Sequence, residues 1–475
     1  MVDPEFSVAL YQRRVPVYPR SVKGRFRTLK WAILILTYGI YFLLPWLRWE
    51  RAGGVGQAVL FDLSKRRFYL FDLVVHPQDI FWLAGLLVIA ALLLFFVTGV
   101  AGRVFCGYFC FQTLWTDFYM LIERLVQGER PARIRLDKAP WGVQKLYRKG
   151  LTHLLWLLVA FGTGFTFVLY WADAPQLAEE FFTGRAAFPA YATTLFLTAS
   201  TYLLAGWARE QVCTYMCPYA RFQSAMFDRD TLIVAYDAQR GEGRRGRAKP
   251  MRGLKAHEER RQQGVGDCVD CGYCVQVCPA GIDIRNGLQI QCISCALCID
   301  ACDAVMDTLG LPRGLIRYTS EREQAGGKTR YFKPKTLGYG VVLTLASVLL
   351  VTSVMTQAPL DASVYQVRQP LYVQLSDGRI QNSYEIKLNN KTERPLRIRL
   401  AVEGLPGAEL DLGHLEEVVL QPEQRLQVLA RVRAPMAGTS SSRAFRFTVK
   451  PLDAAAEMEV VQPALFYLPS TGNKG

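Results

Sequence analysis

Residues 268–302 carry Cys268-Val269-Asp270-Cys271-Gly272-Tyr273-Cys274-Val275-Gln276-Val277-Cys278-Pro279 and, after a short connection, Cys292-Ile293-Ser294-Cys295-Ala296-Leu297-Cys298-Ile299-Asp300-Ala301-Cys302. Eight of the twelve cysteines fall in these two runs, and both runs separate them by two, two and three residues. One loop with such spacing can wrap three thiolates around a corner of a metal group. The fourth cysteine then begins a segment that leads away.

This is the spacing of a bacterial two-cluster ferredoxin, in which the fourth cysteine of each run serves the other cluster. Crossed ligation assigns Cys268, Cys271, Cys274 and Cys302 to one [4Fe-4S] cluster and Cys292, Cys295, Cys298 and Cys278 to the other. Structural zinc sites of four cysteines each are the competing reading. Zinc gives no reason for the x2-x2-x3 run to occur twice, so iron-sulfur is preferred over zinc or disulfides. Asp303 stands where a second proline would follow Cys302, which loosens that turn and removes no ligand.

The 475 residues are 51% hydrophobic and 20% charged, and the apolar ones come in blocks. Crossing roughly 30 Å of hydrocarbon takes about 20 helical residues. Five stretches free of Asp, Glu, Lys and Arg approach or exceed that length: Trp31–Leu47, Ile80–Gly102, Leu151–Ala172, Ala186–Ala208 and Leu337–Gln357. One such run could be the core helix of a soluble protein; five make a polytopic membrane protein. The first lacks a small-residue cleavage site and is expected to stay as a helix.

Charge bias orients the spans. Residues 1–30 hold seven Lys/Arg and residues 103–150 hold nine, whereas the loop from Asp173 to Arg185 sets Asp173, Glu179 and Glu180 against Arg185. The positive-inside rule makes the N-terminus and the 103–150 loop cytoplasmic. The loop from Arg48 to Gln78, with five Lys/Arg, argues more weakly the other way. An odd number of spans puts the cysteine-rich segment inside and everything after Gln357 outside. Thiolate ligands suit a reducing compartment, and residues 358–475 contain no cysteine. The net charge of +15 accompanies no nucleic-acid fold signature, so nucleic acid is excluded as a partner.

The remaining four cysteines form two C-x3-C pairs. Cys106 and Cys110 follow the second span, and Cys213 and Cys217, with Pro218 behind them, follow the fourth. Both spans run outside to inside, so both pairs reach the cytoplasmic mouth of the membrane region. An i, i+4 spacing places two thiols about 5–6 Å apart at Cβ on one helical face. Free cysteine is often only a small buried hydrophobe. Two pairs at equivalent positions point instead to a soft metal ion, Cu(I) or further iron-sulfur chemistry. Met216 could add a thioether, although packing is its ordinary role.

His153, near the start of the third span, is expected to be a hydrogen-bonded bundle histidine and not a haem or copper ligand. His76, His257 and His414 are read as surface or loop residues without partners. Basic residues before Trp31 are explained by anionic headgroups. The run Arg240–Arg261, with nine Lys/Arg, is expected to be a solvated linker or short helix near lipid, and the docking of an acidic electron donor is the sharper reading of it. Past Gln357, alternating segments at Leu371–Leu375, Tyr384–Leu388, Leu396–Val402, Leu426–Val432, Phe445–Val449 and Met458–Leu468 suggest an immunoglobulin-type sandwich.

Together the C-x3-C motifs at Cys106/Cys110 and Cys213/Cys217-Pro218, the runs at 268–302 and the terminal sandwich resemble the CcoG/FixG/RdxA family of cytochrome oxidase accessory proteins. The resemblance spans nearly the whole chain. It implies a role in assembling the cbb-type oxidase, with Cu(II) reduced to Cu(I) on the cytoplasmic side. Copper is then substrate or transient ligand, Cys106, Cys110, Cys213 and Cys217 are the catalytic and copper-binding residues, and a cytoplasmic electron donor, the membrane and oxidase assembly proteins are the partners. A homodimer is compatible with that reading. The NapH/NosR-like respiratory polyferredoxins share the C-x3-C-P element and rank second. A non-enzymatic assembly scaffold would carry the same domains with clusters that are only structural. Quinol oxidation within the helices is disfavoured by the scarcity of ionisable residues in the spans.

The expected architecture is a five-helix inner-membrane protein with a cytoplasmic 2[4Fe-4S] ferredoxin-like domain and a periplasmic immunoglobulin-like sandwich. Its parts are a basic N-terminus (1–30), a four-helix membrane region (31–237), a basic linker (238–266), the ferredoxin domain (267–312), a second linker (313–336), the fifth helix (337–357) and the sandwich (358–470).

Overall fold

The computed structural model describes residues 16–50, 56–251, 254, 257–392, 394–413, 417–422, 424–435, 441–452 and 459–469. The chain divides into two compact units, one of Met1–Leu47, Leu60–Leu63 and Gln78–Leu350, the other of Arg48–Val59, Ser64–Pro77 and Val351–Gly475.

Among the described residues four helices are long and apolar enough to cross a membrane: Arg25–Trp46, Ile80–Ala101, Val143–Leu169 and Pro334–Met355. The segment expected as a further span differs. Phe188–Thr201 is α-helical for 14 residues and then widens into a π-helical turn over Tyr202–Ala208. A neighbouring side chain accounts for the widening. Gln112 Nε2 donates to the Leu204 carbonyl at 2.8 Å, and that carbonyl also accepts from the Arg209 amide five residues on, at 2.8 Å. An inserted side chain of this kind is a recognised cause of irregularity in a helical ladder.

Packing between these helices relies on small residues. A Cβ on Gly164 would stand 2.6 Å from the Thr194 carbonyl oxygen, so the Val143–Leu169 and Phe188–Thr201 helices approach at a contact that only glycine permits. Beside it, Trp115 donates to Thr163 Oγ1 at 2.9 Å and Tyr119 to the Trp156 carbonyl at 2.8 Å.

Two expectations for basic residues are overturned here. Arg27 and Lys30 do not reach toward headgroups: both are buried, and they pair with Asp117 at 2.9 and 3.8 Å. Burial raises the Asp117 pKa, but the charges of Lys30 and Arg27 outweigh that and hold the carboxyl below its ordinary range. The 240–261 run is likewise no purely solvated linker. Arg260 is fully buried, and its guanidinium donates to the carbonyls of Leu254, Ala248, Gly266 and Cys268.

The histidines also differ in part. His153 behaves as expected, with Nδ1 at 3.0 Å from the Tyr202 hydroxyl. His257 has a partner, Asp267, at 2.9 Å, and His76 is buried. His414 lies outside the described residues.

The second unit holds a β-sandwich. Val373–Gln374 and Leu360–Gln366 pair with Ile380–Asn390, which pairs with Arg425–Ala434 and through it with Glu409–Asp411. The opposing sheet runs Val418–Leu420, Leu396–Glu403, Ser442–Pro451, Val460–Tyr467. Alternation along residues 380–388 and Arg425–Ala434 turns Ile386, Leu388, Val428 and Val432 inward against Phe445, Phe447 and Phe466. Tyr384 meets Phe445 and Phe447 edge-on at 5.5 and 5.2 Å and donates to the Leu465 carbonyl. Sequence alternation missed Leu360–Gln366, Glu409–Asp411 and Val418–Leu420, the last two only three residues each.

Candidate functional site: paired thiol loops beside a membrane-mouth motif

The sequence repeat in residues 268–302 is also a backbone repeat. In the first run Asp270 and Gly272 have positive φ (49° and 62°); in the second, Ser294 and Ala296 do (52° and 60°). Each pair occupies the same positions, two residues after the first cysteine and one after the second. Helices begin directly behind, at Tyr273–Gln276 and Leu297–Leu309. Left-handed backbone costs roughly 1–2 kcal/mol at a non-glycine residue. Three such residues within two loops mark strained backbone of the kind that clusters at ligand sites.

Amide groups turn toward sulfur as a result. Cys292 receives a backbone hydrogen bond from Ser294, and Cys278 receives them from Ile282 and Ala280. Two tyrosines fix the second loop from outside, Tyr108 donating to the Cys295 carbonyl at 3.1 Å and Tyr318 to the Ser294 carbonyl at 2.5 Å. The antiparallel pair Ile233–Tyr236 and Ile316–Thr319 closes the segment from its two flanks.

The thiols fall into two adjoining groups. Cys302 has Cys274, Cys268 and Cys271 as its sulfur neighbours, while Cys278 has Cys295 and Cys292. Cys298 has Cys295, Cys292 and Cys278, with Cys274 of the other set next, so the two sets adjoin. Burial pushes the Cys274 thiol up to about 11 and the Cys278 thiol up to about 12. Thiols so placed become thiolates when a cationic group accompanies them. Close-set sulfurs, an apolar shell and converging amides fit [4Fe-4S] clusters.

The membrane-mouth pairs share one geometry. Cys106 lies in the short helix Val104–Tyr108, and Cys110 stands in extended conformation just before Phe111–Gln127. Cys213 lies in the wide turn Val212–Met216, and Cys217 stands extended just before Pro218–Met226. The Cys110 amide bonds the Phe105 carbonyl at 3.0 Å and the Cys217 amide bonds the Val212 carbonyl at 2.8 Å, both five residues back. Neither pair therefore sits on one regular helical face, because a wide turn intervenes and puts the second cysteine at the start of the next helix.

Both pairs meet within this one chain. Cys106 has Cys110 and Cys217 as sulfur neighbours, and Cys213 has Cys110, Cys106 and Cys217. Burial raises the Cys106 thiol and pushes Cys213 up to about 12. The Cys106 thiol donates to Gln223 Oε1 at 3.0 Å, and Gln223, fully buried, donates in turn to Thr98 Oγ1. Met216 is 62% exposed and is not packed into the site. Among the described residues no three His, Cys, Asp or Glu side chains close tightly enough to hold one metal ion.

This four-thiol site abuts the second ferredoxin loop. Cys106 packs in one apolar cluster with Val277, Ile293, Cys295, Leu297 and Ala301. Arg103 donates to the Ile290 carbonyl, and its charge favours the Cys106 thiolate. None of Arg103, Tyr108, Gln112 or Gln223 was evident as a site residue from sequence.

Comparison with known proteins bears on the same elements. Residues 208–321 match a profile described as a 4Fe-4S dicluster domain, residues 83–127 one described as a 4Fe-4S binding domain, and residues 350–469 an IG-like fold at the C-terminus of FixG. Protein RdxB of Cereibacter sphaeroides is 44% identical over 92% of this chain and 94% of its own. The chain belongs to the FixG/RdxA family.

Protein RdxA of the same organism is 44% identical over 84% of this chain and 85% of its own, and the nitrogen fixation protein FixG of Rhizobium meliloti 40% over 84% and 82%. As a FixG/RdxA member the protein is an iron-sulfur electron-transfer protein with a C-terminal Ig-like domain, and its apolar helices accord with an inner-membrane location.

Proposed function

We propose that this FixG/RdxA-family protein takes single electrons from a cytoplasmic donor and reduces Cu(II) to Cu(I) at Cys106, Cys110, Cys213 and Cys217, in support of cbb-type oxidase assembly. The observation that carries the reading is the seating of the Cys106 motif on the Ile293–Cys295 loop. A soft-metal site touches a segment built for electron carriers.

Cys268, Cys271, Cys274 and Cys302 would hold one [4Fe-4S] cluster, and Cys292, Cys295, Cys298 and Cys278 the other. When bound, these clusters supply one-electron carriers on the inner side of the membrane. Residues of the chain do the rest: Tyr108 and Tyr318 pin the second loop, the Ile293 and Leu297 side chains exclude water, and Gln223 orients Cys106. Cu(II) gains one electron and loses none of its sulfur ligands. Thiolate ligation favours Cu(I), so the site itself draws the couple toward reduction.

The five-span topology belongs to the same proposal, with Phe188–Thr201 and the wide turn after it supplying the extra crossing. Grouping of Arg48–Val59 and Ser64–Pro77 with Val351–Gly475 in one compact unit supports a common outer side for the first loop and the sandwich. Cytoplasmic placement of the N-terminus and ferredoxin segment, and contacts with oxidase assembly proteins, are part of this reading.

Replacing Cys213 and Cys217 by serine tests it in the purified protein. The expected result is loss of Cu(II) reduction with both cluster EPR signals retained; full activity in that variant would sink the copper assignment.

One observation favours a second reading. The 4Fe-4S binding profile over 83–127 encloses only Cys106 and Cys110, half of the four thiolates a cubane takes, and the structure brings Cys213 and Cys217 beside them. On that reading the four thiols hold a third cluster and the chain relays electrons as the NapH/NosR-like polyferredoxins do. Anaerobic metal analysis separates the two, with about eight irons per chain for the copper reading and about twelve for the relay.

A further inference from the structure

Arg103 is 2% exposed and follows Gly102, whose positive φ of 59° ends the Ile80–Ala101 helix and turns the chain into the Cys106 motif. Other cations nearby each have a carboxylate within reach. Arg27 and Lys30 share Asp117, and Arg133 and Arg209 share Glu123. Among the described residues no carboxylate pairs with Arg103, and its Nε has no hydrogen-bond partner. A buried guanidinium without a counter-ion is costly. Arg260, also buried, is met by four carbonyls, whereas Arg103 has the one from Ile290.

What faces it is sulfur. Arg103 stands three residues before Cys106 and donates to the Ile290 carbonyl, and its charge favours the thiolates of Cys106, Cys213 and Cys292 of the neighbouring loop. It therefore stands between the four-thiol site and the second ferredoxin loop.

We propose that Arg103 is the fixed positive charge that stabilises the reduced, more negative state of both the metal site at Cys106, Cys110, Cys213 and Cys217 and the Cys292 loop beside it. The inference rests on the reading that these thiols hold redox metal, and is indifferent to whether that metal is copper or iron. The charge balance shows why it is needed. Cu(II) with two thiolates is neutral; one electron from the reduced cytoplasmic donor makes the complex a monoanion, and no proton follows it. In a buried site that added charge is met by a cation already in place. Arg103 is thus a positioning residue, a charge held beside the ligand sulfurs.

The test uses the full-length protein in detergent, prepared without oxygen, with Arg103→Gln and Arg103→Lys. Cu(I) affinity is read by competition with a chromogenic Cu(I) chelator, and the cluster potentials by EPR-monitored redox titration. Arg103→Gln is expected to weaken Cu(I) binding about ten-fold and to lower one cluster potential by a similar shift of the one-electron equilibrium, about 59 mV. Arg103→Lys keeps the charge and is expected to retain most of both.

Unchanged affinity and potentials in Arg103→Gln would overturn the proposal. So would a lysine variant as impaired as the glutamine one, which is the mark of a purely structural role. A native protein that binds no Cu(I), yet whose cluster potential falls in Arg103→Gln and holds in Arg103→Lys, would sink the copper reading and uphold Arg103. Arg103→Met, of similar length, replaces the glutamine variant if that one does not accumulate.

Discussion

Gly107 and Cys295 meet backbone to backbone. A Cβ on Gly107 would stand 3.0 Å from Cys295 Cα and 2.7 Å from the Ile293 carbonyl oxygen, distances that side-chain carbons do not tolerate against main chain. The glycine between the two cysteines of a membrane-mouth motif is therefore what lets that motif rest on a cluster-ligand loop.

Gly107→Ala should force the two loops apart by a few tenths of an ångström. Overpacking of this kind costs about 1–3 kcal/mol. The expected outcome is a lowered melting temperature and a perturbed EPR signal from the cluster at Cys292, Cys295 and Cys298, with the other signal unchanged. Cu(II) reduction is expected to slow more than iron content falls. Equal activity per iron in native and variant protein would mean that the contact plays no part in electron delivery.

Asp117 holds Arg27 and Lys30 together across two helices. Asp117→Asn strands two buried cations, and breaking a buried pair from one side costs about 3–5 kcal/mol. The pH dependence has a definite sign. The folded carboxyl lies below its ordinary range, so its stabilisation is fully present above the unfolded value of about 3.9 and is lost as pH falls through the lower folded value. Thermal melts between pH 7 and pH 3 should show the native protein losing stability at the acid end and Asp117→Asn losing less there, from a lower start. Parallel curves would exclude Asp117 as the titrating group.

Asp300, between Cys298 and Cys302, accepts the amides of Phe26 and Arg27 at 3.3 and 2.8 Å. A residue of the cluster-binding helix thus caps the first membrane helix, whose own preceding residue, Gly24, offers no side chain for the purpose. Loss of such a cap costs about 0.5–2 kcal/mol. Asp300→Ala is expected to lower the melting temperature and speed amide exchange at residues 25–28, while Asp300→Asn, which keeps an acceptor, restores part of both.

These contacts show which parts of the protein could be read from its sequence. Cysteine spacing is a local property, as loops of two and three residues fix where sulfur can go, and the two runs at 268–302 were legible as a repeated thiol loop for that reason. Period-2 alternation revealed Tyr384–Leu388, the middle of the strand Ile380–Asn390, because one face of that strand is buried along its length. Asp117, Asp300, Arg103 and Gln223 act on partners 90 or more residues away in most cases, and nothing in their neighbourhood distinguishes them from solvated residues. Charge counting also misplaced Arg27 and Lys30, because a basic run before a span looks the same whether it meets lipid or a buried carboxylate. The widened turn at Tyr202–Ala208 was invisible for a related reason: its cause, Gln112, lies on another helix.

Crossed ligation carries its own genetic test. If Cys302 shares a cluster with Cys268, Cys271 and Cys274, as its sulfur neighbours indicate, then Cys268→Ser and Cys302→Ser damage the same cluster. Their double variant should retain about four irons per chain and one EPR signal, the same as either single variant. Cys268→Ser combined with Cys278→Ser removes a ligand from each set and should lose both clusters. Uncrossed ligation inverts this pattern, since Cys268 and Cys278 would then belong together and their double variant would keep one cluster. Because the comparison is between two double variants with the same number of cysteines removed, a general loss of folding cannot imitate either result.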